Sequence, residues 1–258
     1  VTLNGRTAAA GDKGRMIGRD DVVEIAAGVG RIVPQAGLPL TELASGPGWI
    51  AVDKPAGVAV HPLREGETAT VLNAVAGRYP QVQGVGLSGG EGGLKSGVVH
   101  RLDHDTSGVL LIALDEERWT HFRRAFAEHR TRKIYAAVVD GEVAQDTGYA
   151  DVWLAVTRHR PAYVRVVDRE TPGARRCTLS WEVTGRAAGL TSVDIDLGTG
   201  FLHQIRATFR HLGHPVRGDR VYGNQAATGR AGRLLLHAKR LRIDDINLVC
   251  HVPDEFAF

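Results

Sequence analysis

Residues 100–111 read HRLDHDTSGVLL: imidazole, carboxylate and hydroxyl groups crowd a short polar stretch, and an apolar run follows at once. The run continues as SGVLLIAL to residue 114 and reads as a buried strand. Thr106, Ser107 and Gly108 are suited to fixing a turn through hydroxyl-to-backbone bonds. On spacing alone Asp103 is read first as bracing that turn, with a carboxylate placed for chemistry as the alternative. The residues by themselves leave both readings open.

DEERWTHFRRAFAEHR after this strand has the period of an amphipathic helix. Asp115 and two glutamates sit at its start, and Trp119, Phe122 and Phe126 share one face. Strands follow in RKIYAAVVDG, ADVWLAV, AYVRVVD, RRCTLSWEVTG and LTSVDIDLG. The turn GTG then opens a helix, HQIRATFRHLG, and RLLLHAKRLRI is a last substantial strand. Before the opening stretch, WIAVDKPAGVAVHP reads as strand, Lys-Pro-Ala-Gly turn and second strand, and ATVLNAVAGRY as a short helix. Residues 84–97 are glycine-dense and read as a mobile loop with no phosphate-cradling motif. Many successive strands with few helices predict an α+β fold with a mixed, mainly antiparallel central sheet and flanking helices.

At the N-terminus, residues 1–28 form a small β-rich piece with an Asn4-Gly5 turn, too small to be stable alone. Residues 29–48 carry three prolines and no clear period, and read as a linker. Residues 49–258 are then the main domain. No initiator methionine is present, so the N-terminus is read as processed or cut away.

The chain has 258 residues, 43% of them hydrophobic, enough for a sizeable core. Formal net charge is +3 and the sequence pI about 9.0. Arginine outnumbers lysine, a mild pointer to a polyanionic partner that also suits many ordinary enzymes. Cys177 and Cys250 form no metal or redox spacing, no apolar run is long enough for a bilayer, and no signal core opens the chain. These features predict a cytoplasmic protein. The sequence holds no Ser-His-Asp elbow, zinc signature or dinucleotide fingerprint.

In the helix HQIRATFRHLG, Ile205, Phe209 and Leu212 fall at core spacing. His203, Arg206 and Arg210 fall on another stripe, read either as a solvated basic face or, given the glycine-rich entry, as a ligand-facing one.

HRLDHDTSGVLLIA resembles the signature H-R-L-D-x-x-T-S-G of the RluA family of pseudouridine synthases. DKPAGVAVHP at 53–62, RKIYAAVVDG at 132–141, HQIR at 203–206, HPVRGDRVYG at 214–223 and LLLHAKRL at 234–241 are similar to further family segments, in family order. The resemblance implies a pseudouridine synthase fold with an active-site cleft. It puts Asp103 at the catalytic aspartate, Tyr135 at the tyrosine that stacks on the target base, and Arg206 at the basic residue that pairs with the aspartate. By the same carry-over Arg101 helps open the RNA and Leu236 lies beside the base pocket. Lys54, His61, Thr106, His203 and Gln204 match positions near the cleft, all but His61 taken as substrate-binding. Residues 1–28 resemble the last third of an αL RNA-binding domain.

What this implies is isomerisation of uridine in structured RNA, ribosomal RNA favoured over transfer RNA, by a monomer with no cofactor, metal, membrane or protein partner. Rival readings are a non-catalytic RNA-binding or RNA-folding protein on the same scaffold, and a nucleoside or glycoside hydrolase using Asp103. The intact Asp103–Tyr135–Arg206 set speaks against the first, and the lack of a second well-placed acid against the other. One departure stands out: the family's T-G-R-T-H-Q-I-R is TGFLHQIR here, with Phe201 and Leu202 for arginine and threonine. Phe201 is expected to weaken the grip on RNA without ending catalysis.

Overall fold

The computed structural model describes residues 2–7, 16–24, 30–87, 89–90, 92–159, 161–223 and 232–257. Near the N-terminus β1 (Thr2–Leu3) pairs antiparallel with β2 (Arg6–Thr7) and with β3 (Val23–Glu24). Asn4 and Gly5 both take positive φ, the turn geometry that best matches the twist of a hairpin. The Asn4 side chain fixes the turn, donating to Asp21 and accepting the Val22 N–H.

The rest of the chain builds one large sheet. Its first strands are β4 (Thr41–Gly46) and β5 (Trp49–Lys54), followed by helix α1 (Val71–Arg78), β6 (Ser107–Ala113) and helix α2 (Glu116–Ala127). Four long antiparallel-paired strands come next: β7 (Thr131–Asp140), β8 (Thr147–His159), β10 (Arg175–Ala187) and β11 (Leu190–Leu197), with the shorter β9 (Ala162–Val167) between β8 and β10. Helix α3 (Gln204–His211), β12 (Leu236–Ile243) and β13 (Ile246–Val249) complete it. The strand order is β4-β5-β6-β12-β7-β11-β10-β8-β9, with β13 also on β12. Among the described residues, only β6 and β12 run parallel, through Ser107–His237 and Gly108–Ala238. The fold is thus α+β, with a mixed, mainly antiparallel sheet.

Burial on both faces explains the unbroken apolar run of β6. Leu110 and Ile112 join Ile50 and Val52 of β5 under α1, while Val109, Leu111 and Ala113 join Trp49 and Ala51 under α2. Burying each of the larger side chains stabilises the fold by about 1.5–3 kcal/mol. Thr70 and Asn73 form a reciprocal capping box on α1, and Asp115 caps α2 by accepting the Arg118 N–H at 2.7 Å.

Four expectations are corrected. The stretch read as a linker contains β4, and before it Ile32 is buried and held by Gln83 through two hydrogen bonds. Polar side chains partner this proline-bearing segment, so no hydrophobic period is needed. No second strand follows the Lys-Pro-Ala-Gly turn. The carbonyls of Ala59 and Val60 instead accept the Val71 and Leu72 N–H groups, which α1 leaves unpaired at its first turn. The glycine-dense loop is packed on Trp119, and a side chain at Gly86 would sit 2.8 Å from that indole. Leu212 lies at the end of α3 and is exposed rather than in the core.

Candidate active site

The loop of residues 100–106 is pinned on both sides of Asp103. Upstream, His100 stacks on Phe126 at 4.8 Å, and its Nε2 accepts the Leu111 N–H at 2.9 Å. An imidazole accepting at Nε2 must be neutral. Burial, helped by the Lys133 charge, pushes its pKa down to about 3. Downstream, the His104 carbonyl accepts the Gly57 N–H at 3.0 Å and the Lys54 ammonium at 2.8 Å. Lys54 is fully buried and gives its other two protons to the Pro55 and Val58 carbonyls. Burial pushes its pKa down to about 8, with the Asp105 and Asp103 charges opposing the fall. Lys54 is therefore a brace for the loop that carries Asp103. Gly108 is required where the loop enters β6: it has φ +111°, and a Cβ would sit 2.3 Å from the Ala238 carbonyl oxygen of β12.

A second pinned loop brings α3 to the same place. Lys133 donates to the Thr199 carbonyl at 3.1 Å. Gln204 accepts the Thr199 hydroxyl at 2.8 Å and the Phe201 N–H at 3.0 Å, and donates to the Thr178 carbonyl at 3.0 Å. His203 takes a left-handed conformation, φ 52°, just before the first turn of α3.

These two loops bring Asp103 and Arg206 together. Arg206 Nη1 donates to Asp103 Oδ2 at 2.9 Å. Its Nε and Nη2 donate to Asp219 at 2.7 and 2.9 Å, a two-pronged grip on a carboxylate with no solvent exposure. Burial alone would lower the Arg206 pKa. The hydrogen bonds and charge of Asp219, and then the charge of Asp103, outweigh it and hold the guanidinium above its usual value. The Asp103 side chain keeps 22% exposure, so it is reachable, and Oδ1 carries no donor among the described residues.

His203 Nε2 lies 3.9 Å from Asp103 Oδ2, and its Nδ1 is 3.0 Å from the Tyr222 hydroxyl. That hydroxyl accepts the Val164 N–H at 2.8 Å and so is free to donate to Nδ1, which places the imidazole proton on Nε2, toward Asp103. Burial holds the His203 pKa down against the pull of Asp103, with Arg206 adding to the fall.

Tyr135 of β7 and Leu236 of β12 are buried neighbours in one cluster that also holds Leu102, Ile205 and Phe209. Burial, and to a lesser degree the Asp103 charge, pushes the Tyr135 pKa up, so its hydroxyl stays protonated.

The other sequence-derived candidates divide. Arg101 is exposed and has no side-chain partner among the described residues. His61 is buried and bonds the Pro62 carbonyl. Thr106 turns its hydroxyl into the interior, without a hydrogen-bond partner among the described residues. Gln204 is spent on the loop before α3. Asp105 points outward onto His104. The stripe of His203, Arg206 and Arg210 is not one solvated face, since Arg206 is buried and only Arg210 is exposed. Sequence reasoning missed Asp219, Tyr222 and Lys133. The first two lie in the GDRVYG segment, and their pairing with α3 leaves no periodic signal.

Residues 48–211 match the family model described as RNA pseudouridylate synthase. The chain is 35% identical over 189 residues, 73% of its length and 56% of the relative's, to an uncharacterized RNA pseudouridine synthase of Chloroflexus aurantiacus. To the ribosomal large subunit pseudouridine synthase D of Haemophilus ducreyi it is 29% identical, over 86% of this chain and 69% of that protein. It spans little more than half the length of some relatives, 54% for one from Aquifex aeolicus. Among solved structures, human RNA pseudouridylate synthase domain containing 1 superposes with a TM-score of 0.67 at 25% identity, covering 84% of each chain. The matched region contains β5, β6, β7 and α3, the elements that carry Lys54, Tyr135 and Arg206 and flank Asp103, and the chain belongs to the RluA-type RNA pseudouridylate synthase family.

Proposed function

We propose that the protein isomerises specific uridines of structured RNA to pseudouridine, with Asp103 as the catalytic carboxylate and ribosomal RNA as the substrate. The observation that carries this reading is the Asp103 carboxylate, held through Oδ2 by a buried guanidinium and left open at Oδ1. The reaction breaks the N1–C1′ bond, turns the uracil and rejoins it through C5, with the C5 proton lost and a proton gained at N1. It needs no redox partner. An ionised carboxylate beside the ribose serves either as a nucleophile at C1′ or as a base for the C2′ proton. Arg206 holds Oδ2 of that carboxylate in place, and Asp219 keeps Arg206 aimed.

The uracil must leave the RNA stack, at a cost of a few kcal/mol. Stacking on Tyr135 and packing against Leu236 offset that cost, and the exposed Arg101 guanidinium fills the vacated place. The N-terminal β-piece and the relatives named as ribosomal large subunit enzymes favour ribosomal over transfer RNA.

The test is to incubate the protein with ribosomal and transfer RNA lacking pseudouridine and map the products. New pseudouridine at defined ribosomal positions, lost with Asp103→Asn, is the expected result. Modification confined to transfer RNA would overturn the substrate, and none in either RNA the activity.

A further inference from the structure

The outer edge of the sheet, far along the strand order from Asp103, carries an unusual set of arginines. β9 is the terminal strand and forms a hairpin with β8. Tyr163 of β9 lies parallel to Tyr222, ring centroids 4.9 Å apart at 15°. Tyr222 in turn lies 5.1 Å from the Arg206 guanidinium. A continuous stack therefore runs from the Asp103–Arg206 pair out to the edge strand. There it ends in two more cations, Arg158 and Arg165, whose guanidinium carbons lie 5.5 and 5.2 Å from the Tyr163 ring centre. Arg158 is the register partner of Tyr163 across the hairpin. A third arginine of this edge, Arg169, sits 5.6 Å from the Trp153 ring.

These three side chains are exposed, and none has a carboxylate in ion-pair distance among the described residues. The neighbouring Arg176 shows the contrast, since Asp151 engages it with both oxygens. Residues 157–169 as a whole hold four arginines against one aspartate. An exposed arginine over an aromatic face is already oriented, so less rotamer freedom is lost when its N–H edge meets an anion. Like charges held this close repel one another unless a polyanion lies across them. Edge strands do use cations to discourage pairing with other chains, but that purpose needs only charge, not aromatic seats for each guanidinium.

We propose that the β8–β9 hairpin is a track for the RNA strand next to the nucleotide held at Asp103, with Arg158, Arg165 and Arg169 binding consecutive backbone phosphates. This rests on the reading of the cleft as a uridine site. The track recognises phosphate and not base identity, because the aromatic faces are already occupied by tyrosine and arginine.

The experiment measures binding of a labelled single-stranded oligouridylate by anisotropy across a salt series, for the wild type, Arg158→Gln/Arg165→Gln and Arg158→Lys/Arg165→Lys. Losing two phosphate contacts should flatten the slope of log affinity against log salt by about 1.4, at about 0.7 per contact on a single strand. Over a fourfold rise in salt, the glutamine pair should then lose about sevenfold less affinity than the wild type. The lysine pair keeps the charge and should restore most of the slope. A slope unchanged in the glutamine pair overturns the track. So does a normal slope accompanied by aggregation, which would mark the arginines as edge protection. Wild-type turnover on ribosomal RNA tests the cleft separately: its absence overturns the uridine-site reading, whereas an unchanged slope in an active protein overturns only the hairpin's role.

Discussion

Arg206 grips Asp219 with two hydrogen bonds, 2.7 and 2.9 Å, and reaches Asp103 with one, 2.9 Å. The asymmetry assigns the roles. Asp219 also accepts the Val221 and Tyr222 N–H groups, so it is tied to the backbone and cannot follow a moving arginine. It is the fixed end, and Nη1 is what Arg206 presents to the reactive carboxylate. Asp219→Ala strands a buried guanidinium and should destabilise the fold by about 3–5 kcal/mol. Asp219→Asn retains an acceptor for the backbone N–H groups and should cost less stability, yet still lower turnover because Arg206 loses its aim. Denaturant unfolding with single-turnover rates on the same preparations checks both. Full turnover in Asp219→Asn would show that Arg206 does not need this anchor.

Asp103 and Asp105 are two residues apart and face different surroundings. Asp103 is one-fifth exposed and paired with Arg206, while Asp105 is half exposed and paired with the still more open His104. Asp103→Asn keeps the shape and removes the charge, so it should abolish pseudouridine formation with fold and RNA binding intact. Asp105→Asn should leave turnover within a few-fold of the wild type. Near-normal product from Asp103→Asn would remove the basis of the assignment.

Strands and helices with a strong local period were legible in the sequence: β6, α2, β7 and α3 all form where their patterns place them. β6, β7 and α3, which flank Asp103 and carry Tyr135 and Arg206, are among them, which is why a motif reading brings these residues to one place. What escaped it depends on partners distant in sequence. β4 is a strand because β5 lies beside it, not because of its own pattern, and Ile32 is held by Gln83, 51 positions away. Lys54 and Gln204 look like substrate ligands from their motifs. Their hydrogen bonds are spent on backbone carbonyls and on the loop before α3, a fact that only the folded arrangement of four carbonyls, one amide N–H and one hydroxyl reveals.

Buried histidines set the acid limit of the fold. Burial lowers His100 to about 3, and it also lowers His61, His203 and His237. Each is near 6.5 in the unfolded chain. Below that value the unfolded state takes up protons that the folded state refuses, so the stability is fully present above pH 6.5 and is lost as pH falls toward 3. His100 contributes a slope of up to about 1.4 kcal/mol per pH unit across that window, and the other three act in the same direction. His100→Gln should flatten the dependence by one such proton, while costing stability at neutral pH through its stack on Phe126. Urea midpoints from pH 7 down to pH 4 measure this, and a flat profile for the wild type would contradict the burial of these rings.

Phe201 stands where the family carries arginine, and the structure gives it a task other than contact with RNA. It packs against the buried cluster of Leu154, Val164, Cys177, Ala207 and Tyr222, which Tyr163 also covers. Its loss therefore has two separable effects. Phe201→Arg removes an aromatic from a half-buried apolar setting and should lower stability by about 1–3 kcal/mol. If the new guanidinium turns outward it reaches solvent beside the α3 entrance, and the salt slope of RNA binding should steepen by about one unit. Turnover should fall as well, because the cluster that holds Tyr222 loses a packing partner, and Tyr222 both lies under Arg206 and bonds His203. Phe201→Leu keeps the apolar filling without the charge, so it should lose less stability and leave the slope unchanged. Unfolding, salt-series binding and single-turnover rates on the two variants separate packing from charge. Phe201→Arg with wild-type stability and faster turnover would show that the aromatic is a substitute for a lost phosphate contact and not a support for the Tyr163–Tyr222 stack.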